Sequence, residues 1–234
     1  MSRVVLVTGG NRGIGLGIAR AFDALGDTVV VTHRSGPPPE GLRAVQCDVT
    51  DTASVEAAFD WIEAEVGPVD VLVANAGIAR DALLVRLSDE AIAEVIETNL
   101  VGTMRVARRA ARSMMRRRSG RMIFISSVLG YLGAPGASNY AASKAALVGL
   151  ARSLVYELAP RNITINVVLP GYVETDLTAT LPAERSADIM ARVPARRFAQ
   201  LHEVSSVVTF LASEDAGYVN GAVIAVDGGA AMGH

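Results

Sequence analysis

Tyr140 and Lys144, four residues apart in Tyr140-Ala141-Ala142-Ser143-Lys144, are residues whose types and spacing suit chemistry. An i,i+4 pair lies on one face of a helix, so a phenol and an ammonium become neighbours there. A free phenol titrates at about 10, too high for a proton shuttle at neutral pH, and a nearby cation favours the phenolate and lowers that value. Ser127, thirteen residues earlier, falls at the carboxyl end of a predicted strand, where its hydroxyl can hydrogen-bond an oxygen on which charge develops. Asn99 can complete a proton path through bound water. Each has a plainer reading: tyrosine-lysine pairs are common on helices, Ser126 and Ser127 can simply end a strand, and Asn99 can brace a helix. Their joint order along the chain favours a proton-donating site for a carbonyl on its way to an alkoxide.

Such a site needs a hydride donor, and the amino-terminal segment suits one. Thr8-Gly9-Gly10-Asn11-Arg12-Gly13-Ile14-Gly15 lies between an apolar run and a helical pattern starting at Leu16. Glycines at a strand-to-helix turn let a pyrophosphate approach the backbone, and the amides and dipole of the helix N-terminus favour its charge. Three residues separate Gly9 from Gly13, a variant of the familiar dinucleotide spacing. The second strand ends in Thr32-His33-Arg34-Ser35, without the carboxylate that would accept from ribose hydroxyls and repel a 2'-phosphate. Arg34 and Arg12 can clamp a phosphate instead, which favours NADPH. Asp48-Val49 after the third strand and Asn75-Ala76-Gly77 after the fourth also fall at strand ends, where ligands of open α/β sheets collect. Asp48 suits the adenine amino group and Gly77 a close backbone approach. Asn75 is equally suited to holding the cofactor or tying strands together.

The elements that must position these groups follow from hydrophobic periodicity. Short β-branched runs at Val4 to Thr8, Thr28 to Thr32, Ala44 to Cys47, Val69 to Ala74, Arg121 to Ser126, Ile163 to Leu169 and Ala222 to Val226 predict seven strands. Segments such as Thr52 to Val66 and Ser138 to Ala159 carry the three- and four-residue apolar spacing of crossover helices. The expected fold is α/β: a single Rossmann-type doubly wound domain over residues 1–234, with a seven-stranded parallel sheet and helices on both faces. Gly36-Pro37-Pro38-Pro39 forbids a full crossover helix after the second strand and predicts a short loop.

The bulk numbers set bounds. The 234 residues are 50% hydrophobic and 20% charged, which fits one domain with a substantial core. Twenty-two basic against 24 acidic residues leave a net charge of -2, which argues against general nucleic-acid binding. The single Cys47 and three scattered histidines give no zinc spacing, so no metal is expected. No apolar run is long enough to span a membrane, and no signal peptide can be fitted at Met1-Ser2-Arg3; a soluble, cytoplasmic protein is expected.

The stretches TGGNRGIG at 8–15, NAG at 75–77, Asn99, Ser127, YAASK at 140–144 and PG at 170–171 resemble the short-chain dehydrogenase/reductase family across the whole chain. The resemblance implies that Ser127 orients the carbonyl, Tyr140 is the acid/base, Lys144 holds the nicotinamide ribose and depresses the tyrosine pKa, and Asn99 anchors a relay water. It further implies nicotinamide-side contacts from Gly171, Val173 and Thr175. Within that family, VTHRSG at 31–36, GRMIFISSV at 120–128, NYAASKA at 139–145 and FLASEDA at 210–216 are most similar to 3-oxoacyl-[acyl-carrier-protein] reductases of the mycobacterial type. These enzymes take their substrate on an acidic acyl carrier protein, so basic residues beside the mouth of the site are expected, and Arg118 and Arg161 occupy the family's docking positions. A substrate lid over about 177–197 and a homotetramer, with interfaces on the C-terminal strand and the helix bearing Tyr140, are implied too. Ser126, where glycine is often found, and Leu169, where alanine is common, depart from the pattern.

The sequence therefore predicts NADPH-dependent reduction of a 3-oxoacyl thioester. A reductase of free ketones or secondary alcohols is the alternative, and a non-catalytic NADP-sensing protein a third, disfavoured by the intact Tyr140 and Lys144.

Overall fold

A computed structural model describes residues 2–175, 178 and 183–232. Seven strands, β1 (Val4–Val7), β2 (Thr28–His33), β3 (Arg43–Gln46), β4 (Val71–Ala74), β5 (Gly120–Ile125), β6 (Ile163–Pro170) and β7 (Val223–Val226), form one sheet in the order β3-β2-β1-β4-β5-β6-β7. All six pairings are parallel. The predicted strands are all present, with ends displaced by up to two residues. Thr8 and Ser126 lie just beyond β1 and β5, where their side chains serve the site instead of the ladder.

The apolar runs read as continuous because the sheet is covered on both faces. Along β1, Val4 and Leu6 enter one core and Val5 and Val7 the other, and Ile163, Ile165, Val167 and Leu169 of β6 share the first. The first core is closed by α2 (Thr52–Glu65), α4 (Gly102–Arg117) and α6 (Ser138–Leu158), which contribute Phe59, Met114 and Leu147. The second is closed by α1 (Gly13–Ala24) and α8 (Leu201–Leu211) through Ile18, Phe22, Val204 and Val208. Full burial of side chains of this size contributes roughly 1.5–3 kcal/mol each. Shorter helices complete the chain: α3 (Asp89–Ile96), α5 (Leu129–Leu132) and α7 (Ala183–Arg192).

The Pro-rich segment after β2 forms a loop to β3, as its composition predicts. Between α3 and α4 the helix widens into a π turn, Glu97–Val101, containing Asn99. π turns are uncommon and concentrate at functional sites. The strand order reverses between β1 and β4, so a crevice opens beyond their carboxyl ends. The expected lid begins outside the described residues at Leu177 and includes Pro182 among them; its described remainder is α7 and the segment to Arg197.

Candidate active site

The glycine loop occupies the crevice beyond β1. Gly9 and Gly13 hold φ of 61° and 53°, left-handed values that glycine tolerates, and α1 then starts with Arg12 at its N-cap and no side-chain cap. At Gly15 a Cβ would strike the Asn75 amide and stand 2.5 Å from the Gly9 carbonyl oxygen, so only glycine fits. Thr8 is the hub of the loop: its hydroxyl accepts from the backbone of Asn75 (3.0 Å) and Ala76 (3.1 Å). Asn75 returns the connection, donating to Thr8 O (3.0 Å) and Gly9 O (3.1 Å). Asn75 thus ties the end of β4 to the loop. Asn11 donates to Ser35 O (3.3 Å) and Gly9 N to the Thr32 hydroxyl (3.2 Å), which fixes the loop against the end of β2.

This cradle fits a dinucleotide on its own geometry. The first turn of α1 has uncapped amides, with Ile14 at its second position, and contains no acidic residue. Arg12 and Arg34 are exposed and have no side-chain partner among the described residues. His33 Nδ1 is buried without a partner. Asp48 stands beside Val49 and uses one carboxylate oxygen to accept from Thr50 N (2.9 Å) and Thr50 Oγ1 (2.7 Å), leaving the other oxygen unengaged. Burial works against its charge, but the Thr50 bonds and the positive fields of Arg34 and Arg105 prevail and hold the carboxyl below its ordinary range.

The catalytic candidates converge at the neighbouring ends of β4, β5 and β6. Ser127 is buried just past β5, and its hydroxyl accepts from Leu129 N (3.2 Å). Tyr140 follows on α6, with Ser127 among the groups that act on its phenol. Burial holds that phenol above its ordinary value, reinforced by the negative charge of Asp81 and opposed by the Ser127 bond. Lys144 is buried one turn further along α6, with its Nζ 5.9 Å from the centre of the Tyr140 ring and donating to Ile125 O at 2.8 Å. Burial pushes its ammonium down from 10.5 to about 8. The lysine ammonium is engaged by the Ile125 carbonyl, and burial is the largest influence on the Tyr140 phenol.

Asn99 is fully buried, and its amide is committed to the loop after β4. Oδ1 accepts from Ile78 N (2.8 Å), and Nδ2 donates to Ile78 O (2.9 Å) and to the Ser143 hydroxyl (2.9 Å). Ser143 in turn donates to Tyr140 O (2.7 Å). The π turn is thereby bonded to the helix that carries the tyrosine and lysine. Gly77 leaves the room this requires, since a Cβ there would lie 3.1 Å from Asn99 Oδ1 and 3.3 Å from Lys144 Nζ. Ser143 was absent from the sequence expectations; its position three residues after a tyrosine was the available signal, but its partner Asn99 is remote in sequence.

Gly171, Val173 and Thr175 follow β6 on the same side of the sheet. Val173 makes an isolated bridge to Ala199, and Thr175 N donates to the Thr178 hydroxyl (2.8 Å). Tyr172 stacks on Phe198 with ring centres 6.1 Å apart. These contacts join the two ends of the lid segment beside the site.

Arg118 and Arg161 are placed elsewhere. Arg118 caps α4 in the left-handed conformation, two residues before β5, and Arg161 precedes β6 by two residues. Arg118 donates to Pro160 O (3.2 Å), so the two arginines are close together. Both lie at the amino ends of the strands, whereas Ser127 lies past the carboxyl end. A strand of six residues, as β5 is, separates the two ends by about 20 Å. Within one chain they are not beside the mouth of the site, which corrects that expectation: parallel strands put a helix-to-strand turn at the opposite edge from a strand-to-helix turn.

Comparisons with known proteins agree with this geometry. Residues 9–231 match the family described as enoyl-(acyl carrier protein) reductase. The chain is 53% identical over 234 residues to the 3-oxoacyl-[acyl-carrier-protein] reductase MabA of Mycobacterium tuberculosis, covering 100% of this chain and 95% of that protein. It is 52% identical over 234 residues to MabA of Mycobacterium avium, covering 100% and 92%. With the 3-oxoacyl-[acyl-carrier-protein] reductase FabG of Escherichia coli it shares 44% identity over 238 residues, 98% of each chain. A nicotinamide cofactor follows from this kinship and suits the cradle at Gly9 to Gly15. With its parallel sheet, glycine loop and Ser127, Tyr140 and Lys144 brought together, the chain belongs to the short-chain dehydrogenase/reductase family.

Proposed function

We propose that this protein reduces a 3-oxoacyl thioester, carried on an acyl carrier protein, to the 3-hydroxyacyl thioester with NADPH. The observation that carries the reading is that Ser127, Tyr140 and Lys144 meet at the carboxyl end of β5, on the same edge of the sheet as the glycine loop. A serine hydroxyl and a phenol at one point suit a carbonyl oxygen that gains charge. The names of the relatives favour 3-oxoacyl over enoyl substrates.

A bound reduced nicotinamide supplies the hydride. The chain's own residues do the rest. Gly9, Gly13 and Gly15 with Asn11 and Ile14 receive the pyrophosphate at the start of α1, and Asp48 and Val49 meet the adenine. Arg12 and Arg34 hold the 2'-phosphate, supported by their lack of other partners and by the absence of a carboxylate at the end of β2. Gly77, Gly171, Val173 and Thr175 flank the nicotinamide side, with Asn75 bracing the loop. Ser127 orients the carbonyl oxygen, and Tyr140 gives it a proton as the alkoxide forms. Lys144 holds the ribose, and the π turn at Asn99 anchors the water through which the phenol is reprotonated. The described part of the expected lid, α7 and the stretch to Arg197, covers the acyl chain.

Association into a homotetramer is supported by two faces. An open groove of about 640 Å3 runs between α4 and α6, lined by Val101, Met104, Met115, Leu150 and Leu154. β7 is an edge strand, with Phe210 and Tyr218 exposed nearby. Association also bears on carrier docking: lying about 20 Å from Ser127 within a chain, Arg118 and Arg161 would dock a carrier that feeds the site of a neighbouring copy. Among the described residues no helix is long and apolar enough to cross a membrane; we read the enzyme as cytoplasmic.

The test compares NADPH oxidation with acetoacetyl-[acyl carrier protein], acetoacetyl-coenzyme A and free ketones. The proposal expects the carrier-bound substrate to be preferred and Arg118→Ala or Arg161→Ala to erase that preference while leaving the coenzyme A thioester unaffected. Turnover of free ketones alone would replace this reading with the general reductase.

A further inference from the structure

Ser126 has a role that neither its position before Ser127 nor the reaction explains. It sits one residue past β5, buried, with its backbone N donating to Val168 O at 2.8 Å as though the strand continued. Its hydroxyl donates to the main-chain oxygen of Lys144 at 2.8 Å. That oxygen belongs to the interior of α6 and is already committed to the helix ladder, so the serine adds a bond between elements. The preceding residue completes the arrangement, since Ile125 O accepts the Lys144 ammonium at 2.8 Å. Two consecutive residues of one strand end thus hold Lys144 at its backbone and at its tip. The following residue is Ser127. Gly130 brings the same segment against α6, where a Cβ would stand 2.9 Å from Ala145 N.

We propose that Ser126 is a positioning residue for the reaction, resting on the function read above: its hydroxyl pins the Lys144 turn of α6 to the end of β5 and so sets where the ammonium and the Tyr140 phenol stand relative to Ser127. A buried hydroxyl needs some acceptor wherever it lies. What sets this one apart is that the acceptor is the lysine itself and that the residue before it holds the lysine's ammonium, with Ser127 next in the chain. Around the ammonium stand the Tyr140 ring from α6, the Ile125 carbonyl from β5, and the Asn99 amide and Gly77 from the π turn and the loop after β4. None is charged, so the Ile125 bond is the contact that favours the protonated form against burial. Loosening the pin lengthens that bond and disfavours the charge.

Lys144 is the only lysine in the chain, so protein labelled with 13C at the lysine Cε gives one side-chain resonance to titrate. The wild-type midpoint is expected near 8. In Ser126→Ala it falls by about half a unit or more. NADPH-dependent turnover of acetoacetyl-coenzyme A falls about tenfold in kcat with KM little changed, as expected of sub-ångström misplacement. Ser126→Thr, which keeps the hydroxyl, retains the wild-type titration and kcat. A folded Ser126→Ala protein with the wild-type midpoint and wild-type kcat overturns the proposal. Should that variant fail to fold, Ser126→Thr decides: a folded threonine protein with a displaced midpoint overturns it, and a wild-type midpoint supports it. The titration needs no substrate, so a wild-type protein inactive on every thioester would defeat the proposed function while leaving the Ser126 measurement intact.

Discussion

Replacing Lys144 with methionine should destroy turnover and make the protein more stable at neutral pH. The side chain is fully desolvated, with its ammonium pushed from 10.5 in the open chain to about 8 in the folded one. Each pKa unit corresponds to about 1.4 kcal/mol, so holding this charge inside costs folding roughly 3 kcal/mol. Because the folded value is the lower, the cost is fully present below pH 8, shrinks as pH rises from about 8 to 10.5, and is gone above that. Methionine keeps the length without the charge, at the expense of the Ile125 hydrogen bond, whose loss returns about 1 kcal/mol. A net gain of about 2 kcal/mol remains, or roughly 4–8 °C in the unfolding midpoint for a chain of this size. Thermal unfolding of wild type and Lys144→Met at pH 7 and pH 10 measures it. The gap should be open at pH 7 and closed or reversed at pH 10. A variant less stable than wild type at pH 7, or a gap independent of pH, would refute the claim that the site stores an expensive charge for function.

Arg34→Ala should weaken NADPH binding by about 10- to 100-fold while leaving NADH binding within about twofold, because a charge-assisted hydrogen bond contributes about 1.5–3 kcal/mol; fluorescence titration with both cofactors checks it. Gly15→Ala should abolish binding of either cofactor, since the added methyl group meets the Asn75 amide and the Gly9 carbonyl; retained binding with an unshifted midpoint would show that the loop has slack. Asn99→Ala leaves the Ile78 N–H and C=O without their partners, which should cost about 2–5 kcal/mol of stability and lower kcat more than cofactor affinity, as read by chemical unfolding and steady-state kinetics.

The middle of the sheet was legible because β1 and β4 are unbroken apolar runs, a pattern produced by burial on both faces; the edge strands β3 and β7 are less buried. Strand ends were less so: the backbone N–H groups of Thr8 and Ser126 still follow the ladder, while their hydroxyls take partners remote in sequence, Asn75 for Thr8 and Lys144 for Ser126. Tyr140, Lys144, Ser127 and the glycine loop were readable through local spacing and order. Their electrostatics were not. The spacing does not show how deeply both groups are buried, which raises the phenol and lowers the ammonium, nor that the Ile125 carbonyl takes the lysine. Asn99 was legible as a participant but not as the link between the loop after β4 and α6, because the π turn that aims it leaves no recognisable pattern in Glu97-Thr98-Asn99-Leu100-Val101. The location of Arg118 and Arg161 follows from counting residues along β5 and β6, a step that residue-by-residue likeness passes over.

The proton donor is the central claim, and Tyr140→Phe tests it most directly. The substitution removes one oxygen and leaves the ring between α6 and the strand ends. With acetoacetyl-[acyl carrier protein] as substrate, the account predicts a fall in kcat of about 10²- to 10⁴-fold, the usual contribution of a general acid, with NADPH affinity within about threefold of wild type. Turnover near the wild-type rate in a protein that binds NADPH normally would show that the proton comes from somewhere other than Tyr140.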